Sequence, residues 1–317
     1  MEYRTLGRTG LSVSVCGLGC GGHSRLGMSQ NKGETNAVAI VHKALEWGVN
    51  FIDTAEAYGT EGVVGKALKT QTKPRDAVIL STKVSTRHHD EKRLRTASEV
   101  QEAVEGGLSR LKTEYIDILH LHGVPPNDYD YCRSELVPLL EKLRDAGKIR
   151  FLGITEVFMH DSGHAMLQKA VQDDCWDVMM VGFNLLNQSA RERVLSVTQA
   201  KNIGILDMFA VRRALSNTDA LRDLLADLVK QGLVSDEVLD DAEPLGFLLK
   251  DGIAETIPDA SYRFCRDEPG IHVVLSGTGN LDHLETNVRS LDRSPLPEAI
   301  TERLKSLFAK VDSVSGN

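Results

Sequence analysis

The strongest constraint on this 317-residue chain is its rhythm: short β-branched apolar runs alternate with longer stretches of helical period. Eight runs recur, at 13–19, 49–54, 77–83, 116–122, 151–155, 178–183, 203–208 and 271–277. Between them, 36–48, 97–112, 132–147 and 189–202 repeat apolar residues at three- and four-residue steps, as helices packed outside a sheet do. Gly48 and Gly147 stand where two of these helices must stop before the next strand. Repeated βα units demand a parallel sheet. Eight of them predict a single closed (β/α)8 TIM barrel over 1–317, with a doubly wound open sheet as the competing arrangement. The length exceeds the roughly 250 residues of a bare barrel. The surplus lies in an N-terminal segment and at 84–96, 123–131 and 233–260, which read as extended loops.

Composition narrows the class. A hydrophobic fraction of 41% with 26% charged residues supports a sizeable core and excludes disordered or collagen-like chains. The formal net charge of −8, with no block of one sign, argues against binding nucleic acid, which needs a basic face. No apolar run approaches the roughly 18 residues of a membrane span, and MEYRTLGRTG carries charges where a signal peptide needs apolar residues. Five cysteines at unrelated spacings read as reduced thiols of a cytoplasmic protein. Nothing marks the oligomeric state.

In such barrels the chemistry sits at the C-terminal ends of the strands. Those ends supply Asp53, Lys83 and His122 from the second, third and fourth runs, and Tyr58 follows Asp53 in the loop DTAEAYG. An acid, a lysine, a histidine and a tyrosine are thus expected on one rim. Alternation puts His120 and His122 on one strand face, a pair that can bind metal in a metal-dependent barrel hydrolase. That reading needs further ligands: His272 begins its strand, at the wrong rim, and Asp207 is the one inviting carboxylate. No metal is expected, and His120 reads as inward packing one layer below His122.

The segments GVNFIDTAEAYG, VILSTK, YIDILHLH, FLGIT and LSGTGNLDHLETNV, in this order, resemble the aldo-keto reductase family over nearly the whole chain. The resemblance implies a barrel that binds a nicotinamide cofactor and interconverts a small carbonyl or sugar-like substrate and its alcohol. It also implies that Asp53, Tyr58, Lys83 and His122 form the catalytic tetrad. The chemistry suits these residue types. Hydride reduction puts negative charge on a carbonyl oxygen, and a proton must arrive there. A free tyrosine, with a pKa of about 10, is a weak acid at neutral pH. An ammonium at roughly 4 Å contributes about 4 kcal/mol at an effective dielectric of 20, enough to lower that pKa by about 3. Lys83 would supply the charge, Asp53 would hold Lys83, and a neutral His122 would orient the carbonyl.

Ser276, Gly277 and Thr278 lie where the eighth run gives way to the segment LDHLETNV, a helix N-terminus suited to phosphate. The resemblance implies that Thr278, His283 and Asn287 face the adenosine end. It also implies cofactor contacts from Gly21, Gly22, Asp53, Thr155, Glu156, Met180, Met208 and Phe209. The chain departs from the family's pattern in several places. Glu156 and Met180 replace the Asn and Gln that hold the nicotinamide carboxamide, and Met208–Arg213 replaces a Ser-Pro-Leu motif. Gly277 and His283 replace the Lys and Arg of the 2′-phosphate site. NADP(H) is the expected cofactor, with NAD(H) possible, because histidine lacks arginine's permanent charge and planar fork. A cofactor-binding regulatory or redox-sensing barrel with weak turnover is the alternative function.

Overall fold

In the computed structural model, which describes residues 1–88, 90–239 and 243–317, the chain opens with a hairpin of β1 (Tyr3–Thr5) and β2 (Ser12–Ser14). Eight parallel strands follow: β3 (Cys16–Gly19), β4 (Phe51–Asp53), β5 (Ile79–Ser85), β6 (Ile116–Val124), β7 (Ile149–Glu156), β8 (Val178–Gly182), β9 (Gly204–Met208) and β10 (Val273–Ser276). They close into a barrel in chain order, with β10 pairing to both β9 and β3. The (β/α)8 expectation is met and the open sheet is excluded. Positions 89 and 240–242, in two of the expected long loops, lie outside the described residues.

Strand alternation divides the side chains into two cores. The barrel interior is filled by Phe51, Ile79, Ile118, Val178, Met180, Leu206 and Val273, all buried. Leu6, Leu11 and Val13 of the hairpin join this cluster and plug the N-terminal mouth. The opposite strand faces pack against the surrounding helices in a larger cluster, which includes Ile40 and Val41 of helix Gly33–Glu46 as well as Leu18 and Ile52 of the strands. Among the described residues no helix is long and apolar enough to cross a membrane.

The sequence differs from the structure at two informative places. The first run, 13–19, is two strands rather than one. Asn50 pins the break: its Oδ1 accepts from the Ser14 N–H at 2.7 Å and its Nδ2 donates to the Ser12 carbonyl at 2.9 Å. The chain therefore leaves the hairpin before it joins the barrel. The helix expected over 132–147 begins as a π-turn at Cys132–Leu136 and becomes α-helical at Val137–Asp145. Pro138 has no N–H for the carbonyl four residues back, which disturbs the ladder there.

The same alternation sorts the polar residues. Asp53, Lys83, His120, His122 and Met180 share the parity of the interior cluster. Asp207 and Glu156 have the opposite parity and face the helix layer. Asp207, fully buried, has no hydrogen-bond partner among the described residues, and burial raises its pKa well above the usual carboxylate range.

Candidate active site

The register of β4, β5 and β6 sets Asp53 beside Ser81 and Lys83 beside His120. From adjacent strands, Lys83 Nζ donates to Asp53 Oδ2 at 2.5 Å and to the Thr54 carbonyl at 2.8 Å. Ser81 Oγ donates to Asp53 Oδ1 at 2.8 Å. Both ion-pair partners are buried, with Lys83 only 1% exposed. Burial alone would lower the Lys83 pKa. The Asp53 carboxylate and the Tyr58 phenol outweigh it, so the pKa rises and the ammonium persists.

Tyr58 enters from a short turn, Glu56–Tyr58, after β4. Its ring lies 4.8 Å from Lys83 Nζ, measured to the centroid. Its hydroxyl stands 3.5 Å from His122 Nε2, the two rings meeting edge to face. Gly21 permits this pose, since a Cβ there would come within 2.5 Å of the tyrosine ring. The four residues singled out in the sequence therefore converge on one rim.

Their electrostatics differ from the expectation in one respect. Burial raises the Tyr58 pKa above its ordinary value, and Lys83 only partly reverses this while Asp53 reinforces it. The expected drop of about 3 treated Lys83 as a bare cation. With Asp53 at 2.5 Å, the phenol faces a neutral pair instead. Burial, aided by the Lys83 charge, drives the His122 pKa down to about 3, so the ring is neutral across the physiological range. His120, one layer deeper, is fully buried with both ring nitrogens unpartnered among the described residues. Also among the described residues, no three His, Cys, Asp or Glu side chains gather closely enough to hold a metal ion.

A cleft of about 800 Å³ opens beside Tyr58 and Asp53 and runs to Thr278 and His283. Gly21, Gly22, Met180, Met208, Phe209 and Gly277 also line it. A neighbouring pocket of about 690 Å³ shares Gly277, Thr278 and His283 and adds Asn287. Three of the expected cofactor residues lie off this lining. Thr155 accepts the Gly123 N–H at 2.7 Å, and Ser276 accepts from Asn287 Nδ2 at 2.9 Å. Glu156 turns outward, where Oε1 accepts the Gly182 N–H at 2.8 Å and lies 2.9 Å from His164 Nδ1. Tyr129 and Tyr131, rim-loop aromatics, bond instead to Asp173 and to the Arg95 carbonyl.

Sequence reasoning missed the cleft's cations, Lys32, Arg212 and Arg213. A Cβ at Gly277 would meet the Gly19 carbonyl at 2.8 Å, so no lysine fits there. Lys32 arrives instead from the loop after β3, its Nζ donating to the Gly279 carbonyl at 3.0 Å. The adjacent arginines after β9 were a legible signal; Lys32 carried none.

The family model for the aldo/keto reductase family matches residues 18–309. The chain belongs to the aldo/keto reductase family. It is thus an NAD(P)-dependent oxidoreductase acting on carbonyl or alcohol groups. L-galactose dehydrogenase of Arabidopsis thaliana is 40% identical over 159 residues, covering 49% of this chain and about half, 48%, of that protein. The uncharacterized oxidoreductase YqkF of Bacillus subtilis is 27% identical over 320 residues, 96% of each chain. The holo form of aldo-keto reductase AKR11C1 from Bacillus halodurans superposes with a TM-score of 0.71 at 24% identity. That overlay covers 97% of this reductase and 96% of the other chain.

The His122 environment makes a direct prediction. A pKa lowered to about 3 keeps the ring neutral above that pH, so it should not titrate between pH 5 and 8. The imidazole NMR signal lost in His122→Asn should stay constant over this range. A midpoint near 6.5 would show that burial and the Lys83 charge do not govern this ring.

Proposed function

We propose that this reductase uses Asp53, Tyr58, Lys83 and His122 to interconvert a small carbonyl or sugar-like compound and its alcohol, with NADP(H) preferred. One observation carries the reading: a buried lysine, paired to Asp53 at 2.5 Å, beneath a tyrosine whose hydroxyl stands 3.5 Å from a neutral histidine. When bound, the nicotinamide cofactor supplies or accepts the hydride. Tyr58 gives its proton to the oxygen that gains charge, and takes a proton from the alcohol in reverse. Neutral His122 donates a hydrogen bond to the same oxygen, fixing its direction. Lys83 stabilises the phenolate left behind, and Asp53 keeps Lys83 charged and in place. Because burial holds Tyr58 above its ordinary pKa, the acid form persists throughout the neutral range.

The cleft suits a dinucleotide. In a chain of net charge −8, its lining holds Lys32 and Arg213 with one acid, Asp53, already paired to Lys83. Thr278 borders it near the N-terminus of helix Leu281–Asp292, where backbone N–H groups and the helix dipole favour phosphate. Met208 and Phe209 offer apolar surface for a ring. Lys32 and His283 are the groups here that would meet a 2′-phosphate.

Two measurements test this. Tyr58→Phe keeps the ring and loses the proton, so turnover with NADPH and an aldehyde should fall about 10² to 10⁴-fold. NADPH binding should persist, read by fluorescence titration. Retention of more than half the turnover, with chemistry rate-limiting, would refute the assignment of Tyr58. For the cofactor, NADPH should bind about tenfold more tightly than NADH, or about 1.4 kcal/mol. Lys32→Met should bring the ratio of dissociation constants close to one. A wild-type ratio below one would make this an NAD(H) enzyme.

A further inference from the structure

The cleft beside Tyr58 contains a cation with no acid against it. Arg212 is half-buried after β9, and its Nε and Nη2 both donate to Asn317 Oδ1, a neutral amide, at 3.2 and 2.9 Å. Among the described residues it makes no ion pair. Partial withdrawal of a guanidinium from water without a counter-charge carries a desolvation cost that a bound anion would offset. Burial accordingly lowers the Arg212 pKa, and the Tyr58 phenol is the group whose charge opposes that fall.

The surroundings hold this guanidinium still. It lies 4.2 Å above the centroid of the Phe209 ring. Phe209 has φ of +73°, a region bulky L-residues enter only when their surroundings force it. Its ring is fixed in turn by an edge contact with Phe158, centroid to centroid 5.5 Å. The remaining nitrogen, Nη1, lies beside Gly22, 3.7 Å from where a Cβ would stand, and both residues line the cleft. A strained backbone, an aromatic platform and the Asn317 brace therefore present one charged edge to the cleft.

The position is shared with Tyr58: the two line one cleft, and the phenol's charge acts on the guanidinium. That cleft also reaches Thr278 and His283, whereas the neighbouring pocket, which shares those two and adds Asn287, includes neither Arg212 nor Tyr58. We propose that Arg212 receives a carboxylate of the substrate, so that the preferred substrates are short aldehydes or ketones bearing a carboxylate a few carbons from the carbonyl. This rests on the reductase reading above and names the substrate class of that same site. A carboxylate would take the Nη1 edge by charge-assisted hydrogen bonds, leaving its carbonyl to Tyr58 and His122. Asn317 is a positioning residue, acting through Arg212.

The test compares 4-oxobutanoate with butanal, which differ by the carboxylate. The wild type should favour 4-oxobutanoate at least tenfold in kcat/KM. Arg212→Met, which keeps the stem and loses the charge, should bring that ratio near one by raising KM for 4-oxobutanoate. Arg212→Lys should restore part of the preference, and Asn317→Ala should raise the same KM with kcat held. NADPH dissociation constants should change less than twofold throughout. A wild type that reduces butanal but shows no preference overturns the carboxylate site and leaves the reductase reading intact. A large rise in the NADPH dissociation constant in Arg212→Met, with the substrate ratio unchanged, would assign Arg212 to the cofactor's phosphates instead. Failure to reduce either aldehyde while NADPH binds would sink both readings.

Discussion

Two opposite charges buried side by side, Asp53 and Lys83, organise the rim of this barrel. Neither is stable there alone, since removing one partner of a buried pair costs about 3–5 kcal/mol. Adjacent parallel strands in fixed register bring them to 2.5 Å, and Ser81 and the Thr54 carbonyl complete their hydrogen bonding. The pair then sets the character of its neighbours. Tyr58, lying over it, sees a nearly neutral pair and remains a weak acid with a raised pKa. His122 still feels enough of the Lys83 charge, together with its own burial, to stay unprotonated. A proton donor and a neutral hydrogen-bond donor are thereby set on one spot without competing for the same proton.

Strand parity decides which other residues can take part. Met180 and Met208 lie on inward or rim positions and border the cleft, whereas Glu156 is outward and committed to His164 and the Gly182 N–H. The position where the family carries an amide toward the nicotinamide thus holds a carboxylate that bridges β7 and β8 in this chain. Apolar Met180 cannot replace a glutamine as a polar partner. The cations move in the opposite sense: Gly277 leaves no room for a side chain, and Lys32 and Arg212 reach the cleft from two other loops.

Local pattern made the barrel legible, because each β-branched run and each three-four periodic stretch is specified by its own residues. The meeting of Asp53, Tyr58, Lys83 and His122 on one rim was legible for the same reason, since Asp53, Lys83 and His122 stand at or near the ends of consecutive strands and Tyr58 is tied to Asp53 by a short loop. Long-range packing was not legible. Nothing near Ser14 announces that Asn50 breaks the first run in two, and nothing near Lys32 announces Gly279, 247 residues away. The direction of the Tyr58 pKa was not legible because it depends first on how deeply the rim buries the phenol and then on how fully Asp53 neutralises Lys83. Both are set by the packing of separate strands and loops, which no spacing along the chain reveals.

In the proposed mechanism Lys83 acts on the chemistry through Tyr58, and a double-mutant cycle on the single-turnover rate of NADPH oxidation by an aldehyde measures that coupling. Residues that act as one unit are strongly non-additive. Lys83→Met should slow the wild type about 10² to 10⁴-fold, yet in the Tyr58→Phe background, where there is no phenolate to stabilise, it should slow transfer by no more than a fewfold. If the two losses multiply in full, Lys83 works independently of Tyr58 and the account of the site is wrong.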